Sequence, residues 1–370
     1  MSRFTRRIAE RARLALLSDR AFVETAYREV LGRAADPDGL LYHLKLLRDG
    51  HSRVAVLVGL ARSEEFASRL PRPAKPPLPD LRALRPAQYH SERDLRSGEP
   101  VLVFEAGGGD ADFDWLEAMI LSHGYYERPG IWSFQVDTDK RVLAEILASF
   151  APRRGLELGA ASGAVLRCLH DLGVACEGVE ISALAVSQAS PEVRARIHTG
   201  DLLDLELAGS YDLVFGMDVF EHLSPNRLDA TLAEIARLLE PGGFVFANIP
   251  AFGTDPIFGP VFPFYLEGWE QAAAAGRHFA KLHVDERGYP LHGHLISADW
   301  DWWQRRFARH GLVRQPAIER ALHAKYDRYM QQRAPARLAY FVFSLGERDG
   351  QGVVRRVAQT ASAALAACAG

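Results

Sequence analysis

A chain of 370 residues exceeds a usual single domain and has room for a large core. With 48% hydrophobic and 25% charged residues it has the make-up of a globular protein, and a net charge of -3 supplies no general attraction for nucleic acid. The three cysteines, Cys168, Cys176 and Cys368, have no CxxC spacing, so neither a disulfide framework nor a cysteine zinc site is expected, and a reducing cytoplasm fits. No secretory apolar stretch opens the chain and no apolar run is long enough to cross a bilayer, so a cytoplasmic protein is expected. Arg3, Arg6, Arg7, Arg11 and Arg13 beside Phe4, Ile8, Ala12 and Leu16 make a short basic amphipathic helix, a candidate for weak contact with the inner face of a membrane.

From Asp19 to about Leu70 the apolar spacing is helical. Phe22, Val23, Ala26, Tyr27, Val30 and Leu31 form one stripe that Gly32 ends. Asp36-Pro37-Asp38-Gly39 reads as a capped helix start, because the remaining oxygen ligands and terminal Glu of a calcium loop are missing. Leu40, Leu41, Leu44 and Leu47 mark a second helix, and a third follows Ser52, with Ser63-Glu64-Glu65-Phe66 as a capped final turn. This arrangement resembles a bacterial helical domain of unknown function, itself similar to the phycobilisome-linker repeat and often attached to surface and glycan-synthesis proteins. The resemblance covers residues 1–70 and names no chemistry. Prolines 71, 73, 76, 77 and 79 then form an extended linker over 71–80.

Residues 81–150 read as a lead-in. Val101 to Phe104 is a strand, Gly107-Gly108-Gly109 a turn, and a helix carrying Val142, Leu143, Ile146 and Leu147 is expected to lie against a sheet and lid a cleft. Residues 151–348 alternate strand and helix, which builds a parallel sheet covered on both faces. The expected fold is therefore α/β, a Rossmann-like doubly wound, mostly parallel sheet with an antiparallel last strand, preceded by a small all-α domain. The helix Pro225 to Leu239 is given by Ser224 as cap, Pro225 at its first position and Leu228, Leu232, Ile235 and Leu239 on one face. Residues 349–370 form an Ala-rich tail expected to fray.

In doubly wound sheets ligands bind at the carboxyl ends of the strands. Gly155 to Leu158 is a short strand followed by a turn with Gly159 and Gly163, which leads into a helix from Ala164. Glu180 ends the second strand, where a ribose-binding carboxylate belongs. Asp201 ends the third, and Asp218, Glu221 and His222 follow the fourth. A nicotinamide dehydrogenase would use the same ribose acid, but its glycine fingerprint meets Ala161 and Ala164 here.

The run Glu157-Leu158-Gly159-Ala160-Ala161-Ser162-Gly163 resembles motif I of class I S-adenosylmethionine-dependent methyltransferases. Val179-Glu180-Ile181-Ser182, Gly200-Asp201, Asp212-Leu213-Val214 with Asp218 to Leu223, and Leu238 to Gly243 resemble that family's later motifs in order. The resemblance implies S-adenosylmethionine as cofactor, held by Glu157, Gly159, Ala160, Gly163, Glu180, Ile181, Asp201, Leu202 and Asp218. Gly159 would approach the methionine portion, Glu180 would accept from the ribose hydroxyls, and Asp201 would meet the adenine amino group, with Leu202 and Leu203 along its face.

For catalysis the candidates are His222, His294 and Asp218, with His292 beside them in the loop Tyr289 to His294, and the family resemblance implies a Ser-capped helix just after that loop, with Ser297 as the cap. Each histidine also has a plain structural alternative. No compact carboxylate pattern accompanies His292 and His294 in the chain, and no metal is expected. Phe252, Phe258, Phe262, Phe264, Tyr265, Trp269 and Phe279 form an aromatic insert that is either the acceptor pocket or core. The expected partner is a small-molecule or glycan acceptor, with O-methylation of a sugar in cell-surface polysaccharide synthesis as the leading reading. A lipid, quinone or natural-product acceptor, and an inactive cofactor-binding scaffold, stay open.

Overall fold

The computed structural model describes residues 17–61, 63, 76–128, 134–260, 266–333 and 339–368. The basic stretch at 1–16, the turn Glu64 to Phe66, prolines 71 and 73, and Trp132, Phe262, Phe264 and Tyr265 lie outside them. The chain divides into two compact units, Met1–Pro76 and Pro77–Gly370.

The first unit contains α1 (Asp19–Leu31), α2 (Pro37–Arg48) and α3 (Arg53–Ala61). Ser18 Oγ caps α1 by accepting from the Ala21 N–H, and Gly32, at φ 59°, ends it in the left-handed conformation that glycine adopts at little cost. Asp36 caps α2 through the Gly39 N–H, so the acidic turn is a helix start as its spacing predicts. The stripe Phe22, Val23, Ala26, Tyr27 and Leu31 is buried with Val56 and Leu60. Arg53 ties α3 back to the start of α1, donating to the Leu17 carbonyl at 2.7 Å and to Asp19 at 2.8 Å.

The second unit opens with the antiparallel pair β1 (Tyr89–Arg93) and β2 (Pro100–Glu105), then α4 (Asp110–Ser122) and α5 (Thr138–Ala148). The strands β3 (Gly155–Leu158), β4 (Cys176–Glu180), β5 (Ile197–Thr199), β6 (Tyr211–Met217) and β7 (Leu239–Asn248) run parallel. Between them lie α6 (Ala164–Asp171), after β3, and α7 (Pro225–Leu238), after β6. A small ribbon, β8 (Thr254–Asp255) with β9 (Gly259–Pro260), precedes β10 (Lys281–His283), which returns to pair with β2. The chain then forms α8 (Trp300–Ala308), β11 (Leu312–Arg314), α9 (Pro316–Arg333), β12 (Tyr340–Leu345) and α10 (Gln351–Gln359).

The main sheet has the order β11-β12-β7-β6-β3-β4-β5, with β12 antiparallel to both neighbours. This is the doubly wound sheet with an antiparallel final strand that the sequence predicts. Its central strands are apolar on both sides, and successive residues face opposite layers. Phe244, Phe246 and Val342 pack with α5, α6 and α9, whereas Val245, Phe341 and Phe343 pack with α7 and α8. Phe307 of α8 stacks on Phe343 with ring centroids 4.2 Å apart.

Four local expectations are corrected. The helix α5 forms part of a core layer, with Val142, Leu143, Ile146 and Leu147 fully buried against the sheet as expected, and it reaches the cleft only through Lys140 in its first turn, so it is not the lid. Ser224 sits at the start of α7, but its hydroxyl donates to the Asp114 carboxylate of α4 and makes no cap bond. The helix after the histidine loop is capped by Asp299, which accepts from the Trp302 N–H at 2.7 Å, not by Ser297. Finally, the tail does not fray over the described residues: Val353 and Val357 are buried, and Arg356 donates to the carbonyls of Ser149 and Phe150. Among the described residues no helix is long and apolar enough to cross a membrane.

Candidate active site

A cleft of about 810 Å³ opens at the carboxyl ends of β3, β4 and β6. The turn after β3 is shaped by left-handed residues, Gly159 at φ 64°, Ala161 at 48° and Gly163 at 68°. A Cβ on Gly159 would lie 2.5 Å from Val219 Cγ2, so only glycine lets the β3 and β6 loops approach this closely. Ala161 holds a conformation that costs an ordinary residue energy, and in it the Ala161 N–H points at Glu180.

Glu180 is 2% exposed and accepts from the N–H groups of Ala161 at 2.8 Å and Ser182 at 2.7 Å. Burial pushes its carboxyl above the usual carboxylate range, against those hydrogen bonds. Glu157, on β3, is also 2% exposed, and one of its oxygens has no hydrogen-bond partner among the described residues. Burial, then the nearby Glu180 charge, raise it well above its ordinary value. Asp201 accepts from the Leu203 N–H at 3.0 Å and from Arg227 Nη2 at 2.6 Å, while Arg227 also lies 3.5 Å from Glu117 of α4.

The turn after β6 carries Asp218, at φ 54°, and the short 3-10 segment Phe220–His222. Glu221 is completely buried, and neither carboxylate oxygen has a hydrogen-bond partner among the described residues. Burial first, and the Asp218 charge second, raise it well above the usual range. Its main-chain carbonyl accepts from the N–H groups of Leu295 at 2.7 Å and Ile296 at 2.9 Å, which fastens the histidine loop to this turn. The His222 and His294 rings meet edge to face with centroids 4.9 Å apart, and His292 lies 5.7 Å from His294. Burial lowers His222 to about 4 and His294 to about 3, so both imidazoles are neutral at neutral pH.

Tyr125, Tyr126, Glu127 and Phe134, between α4 and α5, border the cleft. Ser182 Oγ donates to the Tyr126 carbonyl at 3.0 Å, the Leu184 N–H donates to Glu127 at 2.9 Å, and Ser162 Oγ donates to the Phe134 carbonyl at 3.2 Å. Tyr126 Oη lies 3.1 Å from His222 Nδ1. Tyr125, Ile120 and Leu121 complete that wall.

Residues 156–247 match the methyltransferase domain family. The chain carries a class I S-adenosylmethionine-dependent methyltransferase domain. Residues 9–70 match a domain family of unknown function, DUF4214. No curated protein matches the chain. Solved structures similar to this methyltransferase include an S-adenosylmethionine-bound amino pentose methyltransferase, CalS10, from Micromonospora echinaspora, at 19% identity over 61% of this chain and 96% of that one, with a TM-score of 0.35. DesVI of Streptomyces venezuelae is 17% identical over 62% of this chain and 98% of its own, with a TM-score of 0.38. The CcbJ methyltransferase of Streptomyces caelestis is 23% identical over 60% of this chain and 93% of its own, with a TM-score of 0.37.

The methyltransferase's residues fit its cofactor. A buried carboxylate at the end of β4 with spare acceptor capacity suits a vicinal diol, and the Gly159 turn together with Glu157, Asp201 and Asp218 lines the same cleft. Of the residues predicted from sequence, Glu157, Gly159, Ala160, Glu180, Ile181, Asp201, Leu202, Asp218, His222 and His294 line the cleft together. Gly163 stands behind it, where a Cβ would lie 2.9 Å from Ile197 Cδ1, so its part is in shaping the turn. Leu203 is outside the lining, and Asp201 already holds Arg227.

The described part of the aromatic insert is core and not the acceptor pocket. Phe252 packs edge to face on Trp269, Phe258 on Phe341, and Phe279 is buried with Val103 and Leu266. Tyr126, Glu117 and Arg227 also line the cleft, and the sequence does not single them out. The first two come from a segment with no family motif, and Arg227 looks like any first-turn helix residue.

Proposed function

We propose that this methyltransferase methylates a hydroxyl oxygen of a sugar or glycan intermediate of bacterial surface-polysaccharide synthesis, acting in the cytoplasm or at the inner face of the membrane. The observation that carries the reading is the pair His222 and His294, which line the same cleft as the cofactor-binding carboxylates, with Glu221 buried behind them. The attached DUF4214 unit supports the surface-glycan context by association.

S-adenosylmethionine, when bound, supplies an electrophilic methyl group on a sulfonium. Glu180 holds the nucleoside end through a carboxylate already fixed by two N–H groups, and Tyr125 and Tyr126 keep water from the opposite wall. The acceptor oxygen is placed against His222 and His294, whose neutral rings leave a lone pair for its proton. Orientation of this kind removes on the order of 7–11 kcal/mol of barrier, and handling the acceptor proton adds roughly 10²–10⁴-fold.

The test is transfer of a labelled methyl group to fractionated cell-envelope intermediates and to lipid extracts. Label in a sugar fraction, released as a methyl ether, supports the reading. Label confined to lipid, quinone or natural-product fractions replaces the acceptor class. Cofactor binding without transfer to any fraction points to a scaffold.

A further inference from the structure

We propose that Glu221, His222 and His294 form a binding site for one divalent transition-metal ion at the wall of the cleft that His222 and His294 line. Three features carry this site, and the metal's use in activating the acceptor rests on the methyl-transfer reading above.

The first is convergence. One donor atom from each residue lies within 4.8 Å of the others, and Glu221 Oε1 is 3.8 Å from His294 Nε2. Donors about 2.1 Å from one tetrahedral ion stand about 3.4 Å apart, so small side-chain rotations complete the shell. The second is the state of Glu221. A fully buried carboxylate with no donor on either oxygen is costly, and protonation would only exchange an unpaired acceptor for an unpaired donor. A cation satisfies both oxygens. The third is ring orientation. Tyr126 Oη lies 3.1 Å from His222 Nδ1, which also sits beside Gly293, so in the tautomer that carries its hydrogen on Nδ1 the ring is held by Tyr126 and keeps the Nε2 lone pair for a metal.

The backbone is built to hold this arrangement. His292 at φ 59° and Gly293 at φ 78° reverse the loop just before His294, and the Glu221 carbonyl grips it just after. Two imidazoles on the cleft lining and one carboxylate buried behind them suit a zinc-class ion over the all-oxygen shells of magnesium and calcium. An acceptor hydroxyl entering an open position would lose its proton more readily beside the cation, which would take over the task assigned above to a free imidazole.

The test uses the untagged full-length chain, stripped with a chelator and titrated calorimetrically with Zn²⁺ and, separately, Co²⁺. The expected result is one equivalent bound and a visible Co²⁺ absorption typical of four or five ligands. Glu221→Gln and His294→Ala should each weaken Zn²⁺ binding on the order of 100-fold, and Tyr126→Phe about 10-fold. Only trace uptake by the wild-type chain, or variants that bind Zn²⁺ as tightly as wild type, overturns the site. S-adenosylmethionine titration of the same samples reports folding of the variants and separates the two readings. Cofactor binding without metal removes the metal site alone, and metal binding without cofactor removes the cofactor reading alone.

Discussion

Glu221 Oε1 stands 3.8 Å from His294 Nε2, and through this pair the turn after β6 meets the loop before α8. The same two segments are bound through the main chain, by Leu295 and Ile296 donating to the Glu221 carbonyl. Side-chain chemistry here can therefore be altered while the loop stays anchored, which makes the site open to mutational test.

Glu180→Ala should weaken S-adenosylmethionine binding about 10- to 100-fold. The change removes the carboxylate and leaves the Ala161 and Ser182 N–H groups without their acceptor, and hydrogen bonds to a charged group are worth about 1.5–3 kcal/mol. Isothermal titration measures it. Equal affinity in wild type and variant would remove Glu180 from the cofactor site.

Gly159→Ala should lower stability by roughly 1–3 kcal/mol and abolish cofactor binding, because the new Cβ meets Val219 and the backbone is at positive φ. Adding Val219→Ala should relieve the clash but not the backbone strain, giving partial recovery in thermal melts.

Glu157→Gln should stabilise the cofactor-free protein at neutral and alkaline pH. The folded-state pKa of Glu157 is raised above its ordinary value of 4.5, so the native chain binds the extra proton and stability is lost as pH rises from there through the folded value. The amide carries no such penalty. Urea unfolding should show a gain on the order of 1–3 kcal/mol at pH 8 that disappears below pH 4. A gain that is constant with pH would contradict this account.

Arg227→Ala should weaken the cofactor site without touching any motif residue. It leaves Asp201 without its 2.6 Å partner and Glu117, already raised by burial, without a nearby cation. We expect a several-fold rise in the cofactor dissociation constant, measured calorimetrically, and a smaller effect for Arg227→Lys, which keeps the charge.

Residues 77–370 expressed alone should bind S-adenosylmethionine with the affinity of the whole chain. Every residue lining the cleft belongs to that unit. A loss beyond about 3-fold would show that residues 1–76 support the cofactor site.

Much of the site was legible because its ligands follow strands of regular spacing. Glu180 and Asp201 could be placed by counting from strand ends, and the Gly159 turn by its need for positive φ. The aromatic insert misled for a physical reason: Phe252, Phe258 and Phe279 carry the same composition in a pocket wall as in a core, and only packing partners distinguish the two. The apolar stripe of α5 fits a sheet face as well as a cleft wall, and its spacing does not choose between them. The hydrogen bonds from Ser182 and Ser162 show that the segment just before α5 borders the cleft.

The sequence by itself determined the alternation of strands and helices, the cofactor turn and the acids at the strand ends, since these depend on periodicity and on contacts near in the chain. Tertiary structure alone decided what surrounds the reacting centre. Glu221 reads as one acid in a motif until folding buries it and turns His294 toward it. Tyr126 and Arg227 acquire their roles only when α4 and α7 are brought to the strand ends. Such pairings join residues far apart in the chain, and burial, which sets the cost of an unpartnered charge, is a property of the folded whole.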